Sequence, residues 1–493
     1  MKEQNTLEQL KKERLNKLKG LQKAGFNAYP SKTRRSYTAA ETISGFNKLK
    51  SKRVTLAGRM VGKRGHGGLI FADLEDESGK FQLVFKKNNL KKNEFDFIVN
   101  FFEKGDFIEV SGKIFKTNVG EKSLEVSNFK LLGKTILPLP ERWFGLKNEE
   151  VRARQRYLDL LINPETRERF RKRSQFIQIL RDFLLEKGFL EVETPILQEV
   201  AGGAIAKPFK TRHNALGQDY YLRIAPELYL KRLVVGGYEK VFEFSRNFRN
   251  EGISPQHNPD FTMLEFYWAY ADYEKLMKFT EEMIKKVVSK INGSLKVQYA
   301  GGTYNFKPPF PRIEFAKLFK KELKLDIDKV ERKDLLAIIK KHKIQIAGKL
   351  ATLSDIKLVD EIYKKLIRPK LKGPLFLIDY PKEMIPLAKE KENNPKRIAT
   401  FQLIVDGWEI VKAYNELNDP LEQKQRFLEQ AAAKKKGDAE AHSYDKDYIE
   451  ALSYGMPPTA GWGMGIDRFL VILLDQKNIR DVILFPLRKR KAN

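Results

Sequence analysis

The sequence predicts an α+β protein in which a small five-stranded β-barrel precedes a larger domain of helices and strands. The barrel is indicated by five short alternating segments within residues 46–140, separated by turns that contain glycine. The larger domain is indicated by a long helical pattern that leads into the strand-like segment FLEVETPIL, and by two strand patterns around the loop GISPQHNP. A chain of 493 residues exceeds the usual size of one hydrophobic core, so we expect two or three domains.

Residues 1–45 form the first predicted element, an amphipathic helical segment. Leu7, Leu10, Leu15, Leu18 and Leu21 recur at roughly helical spacing among basic side chains. Helices of this kind either pack on a neighbouring domain or bind RNA, and the leucine spacing favours packing.

Residues 46–140 form the predicted barrel. Five strands in about ninety residues suggest a small closed barrel, of which the oligonucleotide-binding (OB) barrel is one common form; a barrel without a nucleic-acid ligand is the alternative. Phe71 and the nearby cations Arg59, Lys63 and Arg64 favour RNA. Such barrels hold unpaired bases by aromatic stacking and positive charge.

Residues 141–164 are interpreted as a linker, because Pro138 and Pro140 stand just before them. The larger domain covers 165–493. It opens with a helix whose apolar stripe includes Phe176 and Leu180. A lysine-rich stretch at about 275–371 is predicted to be a helical insertion.

Composition narrows the function classes. The chain has 93 Lys and Arg against 64 Asp and Glu, a formal charge of +29, which attracts polyanions or reflects a lysine-rich surface. The absence of cysteine excludes disulfides, thiolate nucleophiles and cysteine-ligated zinc. No apolar run approaches the roughly 18 residues of a membrane span, so we expect a soluble, cytoplasmic protein without a membrane partner.

The segments KVFEFSRNFRNE and DFTMLEFYWAY are predicted to form a hairpin that carries chemistry. Strand alternation places Glu265 on the same face as Met263 and Tyr267, where a carboxylate is costly unless a cation or donor meets it. A buried ion pair with Arg249 is one explanation. A ligand with both charge and a flat ring is the other, favoured because six polar or aromatic side chains converge there: Arg249, Glu251, His257, Asn258, Phe261 and Glu265.

Near the C-terminus, GWGMGIDR places Gly461, Gly463 and Gly465 at alternate positions ahead of Arg468. The spacing matches neither the dinucleotide fingerprint nor the phosphate loop. Alternate glycines leave one face of a strand bare, so that a flat ligand can lie against the backbone; close helix packing is the alternative.

The segments FLEVETPIL, FRNEGISPQHNPDFTMLEF and GWGMGIDR resemble the three signature motifs of class II aminoacyl-tRNA synthetases. With the barrel, nearly the whole chain resembles the bacterial-type lysyl-tRNA synthetases, and APELYLKRLVVGG and AYNELNDP look specific to that branch. The resemblance implies an antiparallel sheet flanked by helices in a catalytic domain at 165–493. It also implies an OB-fold anticodon-binding domain at 46–140 and a homodimer built partly through the first motif.

The resemblance implies that ATP and L-lysine form lysyl-adenylate, which is transferred to tRNA(Lys), with Mg²⁺ as cofactor. The implied catalytic residues are Arg249, Glu251 and Arg468. ATP would contact Arg249 at the α-phosphate, Phe261 at adenine, Arg468 at the γ-phosphate, and also Glu251, His257, Asn258 and Glu409. Lysine would contact Gly203, Glu227, Glu265, Tyr267, Lys412 and Glu416. Mg²⁺ would contact Gln402 and Glu409, and the anticodon Arg64, Phe71 and Gln82.

Two other functions remain open at this point: a diverged paralogue that lysylates another acceptor, and a non-catalytic tRNA-binding protein. The sequence departs from the family at five positions. In the larger domain, the family usually has Glu at the position of Gln402, Asn at Lys412, Ser at Ile385 and Arg at Thr400. In the barrel, it often has Glu at the position of Asn128. A neutral amide is a weaker Mg²⁺ ligand than a carboxylate. Lys412 either meets the substrate carboxylate or pairs internally with Glu416 or Glu265 and so mimics the substrate.

Overall fold

The computed structural model describes residues 2–50, 52–91, 93–140, 148–346, 350, 353–435 and 444–489. The chain divides into two compact units, Met1–Gly145 and Leu146–Asn493. None of the helices in the described ranges is long and apolar enough to cross a membrane.

The first unit is a closed five-stranded barrel with helices packed on it. Its strands are β1 (Arg53–His66), β2 (Leu69–Asp76), β3 (Gly79–Lys86), β4 (Phe107–Lys116) and β5 (Lys122–Gly133). Its helices are α1 (Lys2–Lys23), α2 (Ala39–Ser44), α3 (Phe46–Leu49) and α4 (Glu94–Phe101). The strand order is β1-β2-β3-β5-β4, and β1 pairs with β4 to close the barrel. The predicted five-stranded barrel is confirmed.

Helix α1 packs on the barrel of its own unit. Leu21 is fully buried. The guanidinium of Arg14 donates to Thr135 Oγ1 at 2.6 Å and to the carbonyl oxygen of Lys104 at 3.2 Å. Lys17 pairs with Glu103 at 2.8 Å. The C-terminal half of α1 is therefore engaged in packing, whereas Leu7 and Leu10 near its start are exposed.

The second unit is built on a large sheet with many helices. Its strands are β6 (Leu190–Glu191), β7 (Leu197–Gln198), β8 (Phe209–His213), β9 (Gln218–Leu222), β10 (Lys240–Phe248), β11 (Asp260–Ala269), β12 (Lys296–Tyr299), β13 (Gly302–Asn305), β14 (Arg312–Glu314), β15 (Leu375–Ile378), β16 (Glu390–Lys391), β17 (Asn394–Ile398), β18 (Thr400–Val405), β19 (Trp408–Asn415) and β20 (Thr459–Gly465). Its helices are α5 (Glu149–Arg154), α6 (Arg156–Ile162), α7 (Pro164–Glu186), α8 (Glu227–Val235), α9 (Tyr273–Asn292), α10 (Phe315–Leu323), α11 (Arg332–Lys341), α12 (Asp355–Ile362), α13 (Pro420–Lys435), α14 (Lys446–Ser453) and α15 (Ile466–Leu473).

The central sheet has eight strands in the order β14-β15-β18-β19-β20-β11-β10-β6. All neighbouring strands are antiparallel except β14 with β15 and β6 with β10. Helices α7, α9 and α15 cover one face of the sheet. On this face Phe266 of β11 and Trp462 of β20 stack, with their ring centroids 4.8 Å apart. The predicted antiparallel sheet flanked by helices is confirmed. On the opposite face, residues of α8, α10, α11, α12 and α14 form a second core with side chains of the sheet.

Three segments differ in detail from the sequence interpretation. FLEVETPIL forms only the two-residue strand β6 beside β10, because Pro195 cannot donate to a ladder and Thr194 turns its hydroxyl to Glu243 at 2.6 Å. In the segment interpreted as a linker, residues 141–147 lie outside the described ranges, and α5 and α6 occupy most of the rest. The stretch at 275–371 carries strands β12 to β14 as well as helices.

Candidate active site

A cavity of about 600 Å³ lies on the face of the central sheet opposite α7, α9 and α15, beside the second core. It brings together every site residue that the sequence analysis named outside the barrel. These are Gly203, Glu227, Arg249, Glu251, His257, Asn258, Phe261, Glu265, Tyr267, Gln402, Glu409, Lys412, Glu416 and Arg468. They come from sequence positions more than 250 residues apart, so folding alone has assembled them.

Strand β11 supplies the middle of the cavity floor. Met263, Glu265 and Tyr267 face the cavity, while Leu264 and Phe266 are buried in the core on the other side. This is the alternation that the sequence predicted for the hairpin. The apolar half of β11 fixes its orientation, and the polar half is thereby directed to the ligand side.

A row of paired residues crosses the floor from one edge of the cavity to the other. Gln402 pairs with Lys412, Lys412 with Gly463, and Gly463 with Glu265. Neighbouring strands lie about 4.8 Å apart, so the backbones of Lys412 and Glu265 are separated by about 10 Å across the bare Gly463. A ligand can thus lie on the backbone with a cation on one side and a carboxylate on the other.

The three alternate glycines of β20 differ in how much space surrounds them. A Cβ atom on Gly461 would overlap Glu416 Oε1 and come within 2.6 Å of Tyr267 Cε1. On Gly463 the nearest atom would be Glu265 Cγ at 3.5 Å, and on Gly465 it would be Arg468 Cδ at 3.5 Å. Only Gly461 therefore excludes every side chain on steric grounds.

A β-bulge in β19 places Glu409 on the cavity face. Glu409 pairs with Ile404 and Val411 pairs with Leu403, so Ile410 has no partner in β18. The extra residue brings Glu409 and Lys412, which are three positions apart, onto one face of the sheet. Without it, strict alternation would put them on opposite faces.

One end of the cavity holds two cations, Arg249 and Arg468, that form no ion pair in the part of the chain that the structure describes. The guanidinium of Arg249 lies 5.0 Å from the ring of Phe261; its Nε and Nη2 donate to the carbonyl oxygen of Ile224, both at 3.4 Å, and Nη2 also contacts Met263 Sδ at 3.9 Å. Within the described residues it forms no ion pair with Glu265, so the buried-pair explanation from the sequence does not hold. Arg468 donates weakly to the carbonyl oxygen of Gln256 at 3.5 Å. Both guanidinium groups are available to an anion.

His257 stands beside these arginines and is uncharged at neutral pH. Burial, followed by the charges of Arg468 and Arg368, lowers the pKa of His257 to about 4. Its Nδ1 shares a hydrogen bond of 2.8 Å with Ser254 Oγ. The neutral imidazole can exchange hydrogen bonds with a ligand, but it adds no positive charge.

The rim of this end holds Glu251 and Asn258. Glu251 is exposed, whereas Asn258 is 5% exposed and donates from Nδ2 to the carbonyl oxygen of Asp260 at 2.6 Å. Asn258 Oδ1 has no partner in the described part of the chain. An unsatisfied acceptor beside a cavity is suited to a donor on a ligand.

The other end of the cavity carries three buried carboxylates, those of Glu227, Glu265 and Glu416. Burial, followed by repulsion from Glu227, raises the pKa of Glu265 to about 8. Tyr267 donates its hydroxyl to Glu265 Oε2 at 3.2 Å. Three acidic groups so close together require positive charge, from the protein or from a ligand.

Lys231, which the sequence analysis missed, supplies one positive charge at this end. Its side chain is fully buried, and its ammonium pairs with Glu227 Oε1 at 2.7 Å and with Glu416 Oε2. Although burial opposes its charge, these two carboxylates raise the pKa of Lys231. Its position four residues after Glu227 in APELYLKRL was the available signal, because such pairs share a helix face.

Lys412 does not pair with either carboxylate that the sequence analysis considered. Its ammonium forms no ion pair or hydrogen bond within the described ranges, and it lies 6.0 Å from the ring of Tyr414. Glu416 is instead paired with Lys231. The side chain of Lys412 therefore leaves the pocket open and contributes an unpaired cation to the cavity.

Gly203 closes one side of the acidic end. Its φ of +84° favours glycine, and a Cβ atom there would lie 2.9 Å from Glu227 Cβ. The backbone of Gly203 therefore approaches the carboxylates more closely than any other residue could.

Comparisons with known proteins agree with this geometry. Residues 148–489 match the family model described as tRNA synthetases class II (D, K and N), and residues 54–132 match the OB-fold nucleic acid binding domain. The lysine–tRNA ligase of Carboxydothermus hydrogenoformans is 48% identical over 490 residues, which cover 99% of each chain. The chain belongs to the lysine–tRNA ligase family of class II synthetases.

Other members of the family match over the same length. The lysine–tRNA ligase of Pelotomaculum thermopropionicum is 45% identical over 98% of this chain and 95% of its own. That of Clostridium tetani is 43% identical over 100% of this chain and 98% of its own. The likeness therefore includes both the barrel and the synthetase unit.

Glu409 is the side chain in the cavity best suited to the Mg²⁺ that is expected in this family. Burial opposes the charge of Glu409, but Lys412 and Arg468 outweigh it and lower its pKa, so the carboxylate is ionised. Gln402 Oε1 already accepts a hydrogen bond of 2.6 Å from Tyr380. No group of three or more His, Cys, Asp or Glu side chains forms a metal site in the described residues. Glu409 thus fits a Mg²⁺ that takes its other ligands from phosphate oxygens and water.

In the barrel, the three residues implied in anticodon contact lie on the adjacent strands β1, β2 and β3. Arg64 pairs with Phe71, and its guanidinium lies 5.8 Å from that ring. Gln82 Oε1 accepts a hydrogen bond from Ser123 Oγ at 2.7 Å, and its amide NH₂ has no hydrogen-bond acceptor among the described residues. These three side chains together form a cationic, aromatic and hydrogen-bonding surface.

The other two cations considered for RNA binding have packing roles instead. Lys63 donates to the carbonyl oxygens of Ile98, Val99 and Phe102 at 2.7 to 3.0 Å, which caps the C-terminus of α4. Arg59 donates to the carbonyl oxygen of Gly105 at 2.9 Å. The sequence prediction that these side chains serve RNA is not supported by their contacts.

The remaining departures from the family have different positions. Ile385 lines the cavity. Thr400 is buried, and its hydroxyl donates to the carbonyl oxygen of Ala413 at 2.8 Å. Asn128 is exposed on β5. Of the three, only Ile385 is placed to contact a ligand of the cavity.

Proposed function

We propose that this protein is an active lysine–tRNA ligase. In the first step the carboxylate oxygen of L-lysine attacks the α-phosphorus of ATP, and the bond to pyrophosphate breaks. In the second step a ribose hydroxyl at the 3′ end of tRNA(Lys) attacks the carbonyl carbon, and AMP leaves. The observation that carries the proposal is one cavity with a three-carboxylate pocket at one end and unpaired arginines at the other.

The acidic end matches the charge of lysine. Glu227, Glu265 and Glu416 carry three negative charges when ionised, and Lys231 balances one of them. The remaining charge suits the two ammonium groups of lysine, one at Glu265 and one between Glu227 and Glu416. A neutral side chain of the same length would leave these carboxylates unpaired, which is a strong basis for discrimination.

The cationic end matches a triphosphate. Arg249 and Arg468 form no ion pair within the described ranges, and Phe261, whose ring lies 5.0 Å from the guanidinium of Arg249, offers a surface on which adenine can stack. Lys412 sits between the two ends, where it can hold the lysine carboxylate beside the α-phosphate. Attack on phosphorus needs positioning and charge neutralisation more than a side-chain nucleophile.

Mg²⁺ and the macromolecular partners complete the proposal. Bound at Glu409, Mg²⁺ would neutralise phosphate charge in the ATP. The surface of Arg64, Phe71 and Gln82 would take unpaired anticodon bases of tRNA(Lys). We expect the enzyme to work as a homodimer in the cytoplasm, as the family resemblance implies.

ATP–pyrophosphate exchange with each of the twenty amino acids tests the proposal. We expect exchange with lysine alone, followed by formation of lysyl-tRNA when tRNA(Lys) is added. Silence with all twenty amino acids, together with intact tRNA binding, would identify a non-catalytic tRNA-binding protein. Exchange with lysine but no transfer to tRNA(Lys) would point to another acceptor.

The affinity for lysine is expected to rise with pH. Because the pKa of Glu265 is about 8, this carboxyl is mostly protonated at pH 6 and must lose its proton before it can pair with an ammonium group. Lysine affinity should therefore increase by up to about tenfold per pH unit between pH 6 and 8, and then level off. Calorimetric titration with lysine measures this, and Glu265→Gln should bind weakly with a flatter pH profile. A flat profile in the unmodified protein would contradict the expectation.

A further inference from the structure

Lys231 pairs with two carboxylates of the amino-acid pocket, and it lies behind the wall of the cavity. Its ammonium contacts Glu227 Oε1 and Glu416 Oε2, yet Lys231 is not among the residues that line the cavity. Tyr414 also donates its hydroxyl to Glu227 Oε1 at 2.8 Å. One oxygen of each carboxylate is thus occupied on the side away from the ligand.

The other oxygens are left for a ligand. Glu416 Oε1 has no hydrogen-bond partner in the described residues, and it lies beside the bare backbone of Gly461 at the cavity wall. The ion pair and hydrogen bonds that Glu227 forms with described residues all involve its Oε1 and not its Oε2. An ammonium group entering the cavity therefore meets two carboxylate oxygens that Lys231 has not taken.

We propose that Lys231 is a specificity-determining positioning residue, which orients Glu227 and Glu416 and supplies positive charge beside them so that the pocket selects a side-chain ammonium group. The proposal rests on the proposed function. It adds the residue that positions the two carboxylates that bind lysine. Lys231 acts through the two carboxylates and does not touch the substrate.

The charged and titratable groups around Glu227 and Glu416 explain why a cation is needed beside these two carboxylates. They are Glu227, Lys231 and Arg232 on α8, Glu265 and Tyr267 on β11, Tyr414 on β19, Glu416 after it, and Tyr448 on α14. Burial, together with the charges of Glu227 and Glu265, holds the pKa of Glu416 well above its usual range, and Lys231 is the main group that opposes this rise. Without Lys231, Glu416 would lose the main charge that stabilises its ionised form, and its attraction for an ammonium group would weaken.

Lys231→Met is the variant that tests this role. We expect the KM for lysine in ATP–pyrophosphate exchange to rise about 100-fold at pH 7.5, while the KM for ATP and kcat change by less than about threefold. The preference for lysine over L-6-hydroxynorleucine, which has a hydroxyl in place of the ε-ammonium, should fall at least about tenfold. Lysine affinity should also depend more steeply on pH and reach its plateau at higher pH than in the unmodified protein.

Arg232→Met is the matched control on the same helix. Arg232 pairs with Asp445 at 2.9 Å, away from the two carboxylates, so its loss should leave the lysine KM within about threefold. Should Lys231→Met not fold, Lys231→Gln carries the same test, because its amide can donate to a carboxylate without supplying charge. Calorimetric binding of lysine to each variant requires no turnover, so the result does not depend on the second step.

Two outcomes would overturn the proposal. One is an unchanged lysine KM and unchanged selectivity in Lys231→Met. The other is an equal loss of affinity for lysine and ATP with no change in the pH profile, which would mean that Lys231 only stabilises the fold. Failure of the proposed function is a separate result, because it would appear as absent lysine-dependent exchange in the unmodified protein.

Discussion

Replacing Arg249 by methionine should reduce lysine-dependent ATP–pyrophosphate exchange by at least about 1,000-fold. The half-buried guanidinium lies at the cation-rich end of the cavity, and among the described residues its acceptors are the carbonyl oxygen of Ile224 at 3.4 Å and Met263 Sδ at 3.9 Å. In the proposed reaction it faces the phosphorus at which charge accumulates. Removal of a single preorganised donor typically costs about 100- to 1,000-fold, and an arginine on a transferring phosphoryl group costs more.

Arg246→Met is the matched control for this prediction. Arg246 lies three residues earlier on β10, donates to Thr262 Oγ1 at 2.9 Å and is not a lining residue of the cavity. Its loss should leave exchange within about threefold of the unmodified protein. Lysine binding by calorimetry should persist in Arg249→Met, since the three carboxylates remain. Exchange in Arg249→Met within tenfold of the unmodified protein would remove Arg249 from the proposed mechanism.

The three glycines of β20 should respond to alanine in a graded way, with Gly461→Ala the most severe. An added methyl at Gly461 overlaps Glu416 Oε1 and approaches Tyr267 Cε1 to 2.6 Å, so it displaces two groups proposed to receive lysine. We expect the KM for lysine to rise at least about 100-fold, because a misplaced carboxylate no longer pairs with the ammonium. The KM for ATP should change little.

Gly463→Ala and Gly465→Ala supply the comparison within the same strand. At both positions the nearest atom to the new methyl lies at 3.5 Å, an ordinary contact distance. Gly465→Ala should leave lysine KM nearly unchanged, and Gly463→Ala should have an intermediate effect, since its methyl projects into the space between Lys412 and Glu265. Equal effects of all three substitutions on lysine KM would show that the bare strand face, rather than the pocket at Gly461, determines binding.

Much of the fold and of the site follows from short-range pattern in the sequence. The face shared by Met263, Glu265 and Tyr267 was predictable because strand side chains alternate with a period of two. The five barrel strands were predictable because glycine-bearing turns separate alternating segments. In both cases local spacing is enough to determine which side chains point together.

Features that depend on tertiary contacts were not predictable in this way. Lys231 is one of 93 basic residues, and only the fold shows that its ammonium lies between two carboxylates. The position of Lys63 near an aromatic residue predicts a role in RNA binding. In the structure, however, its ammonium donates to three carbonyl oxygens at the end of α4. The family match supplied the roles of residues such as Glu409, which no spacing in the sequence connects to Arg468.

Because Ile410 has no partner in β18, the length of β19 matters as much as its sequence for which side chains reach the cavity. Deleting this one residue would restore regular pairing between β18 and β19 and turn either Glu409 or Lys412 toward the helices on the opposite face. Neither residue would have changed in identity, yet the cavity would lose a carboxylate or a cation. Length changes in this strand should therefore be far rarer among functional variants than substitutions at Ile410, and a deletion scan of residues 408–415 scored for growth would reveal that asymmetry.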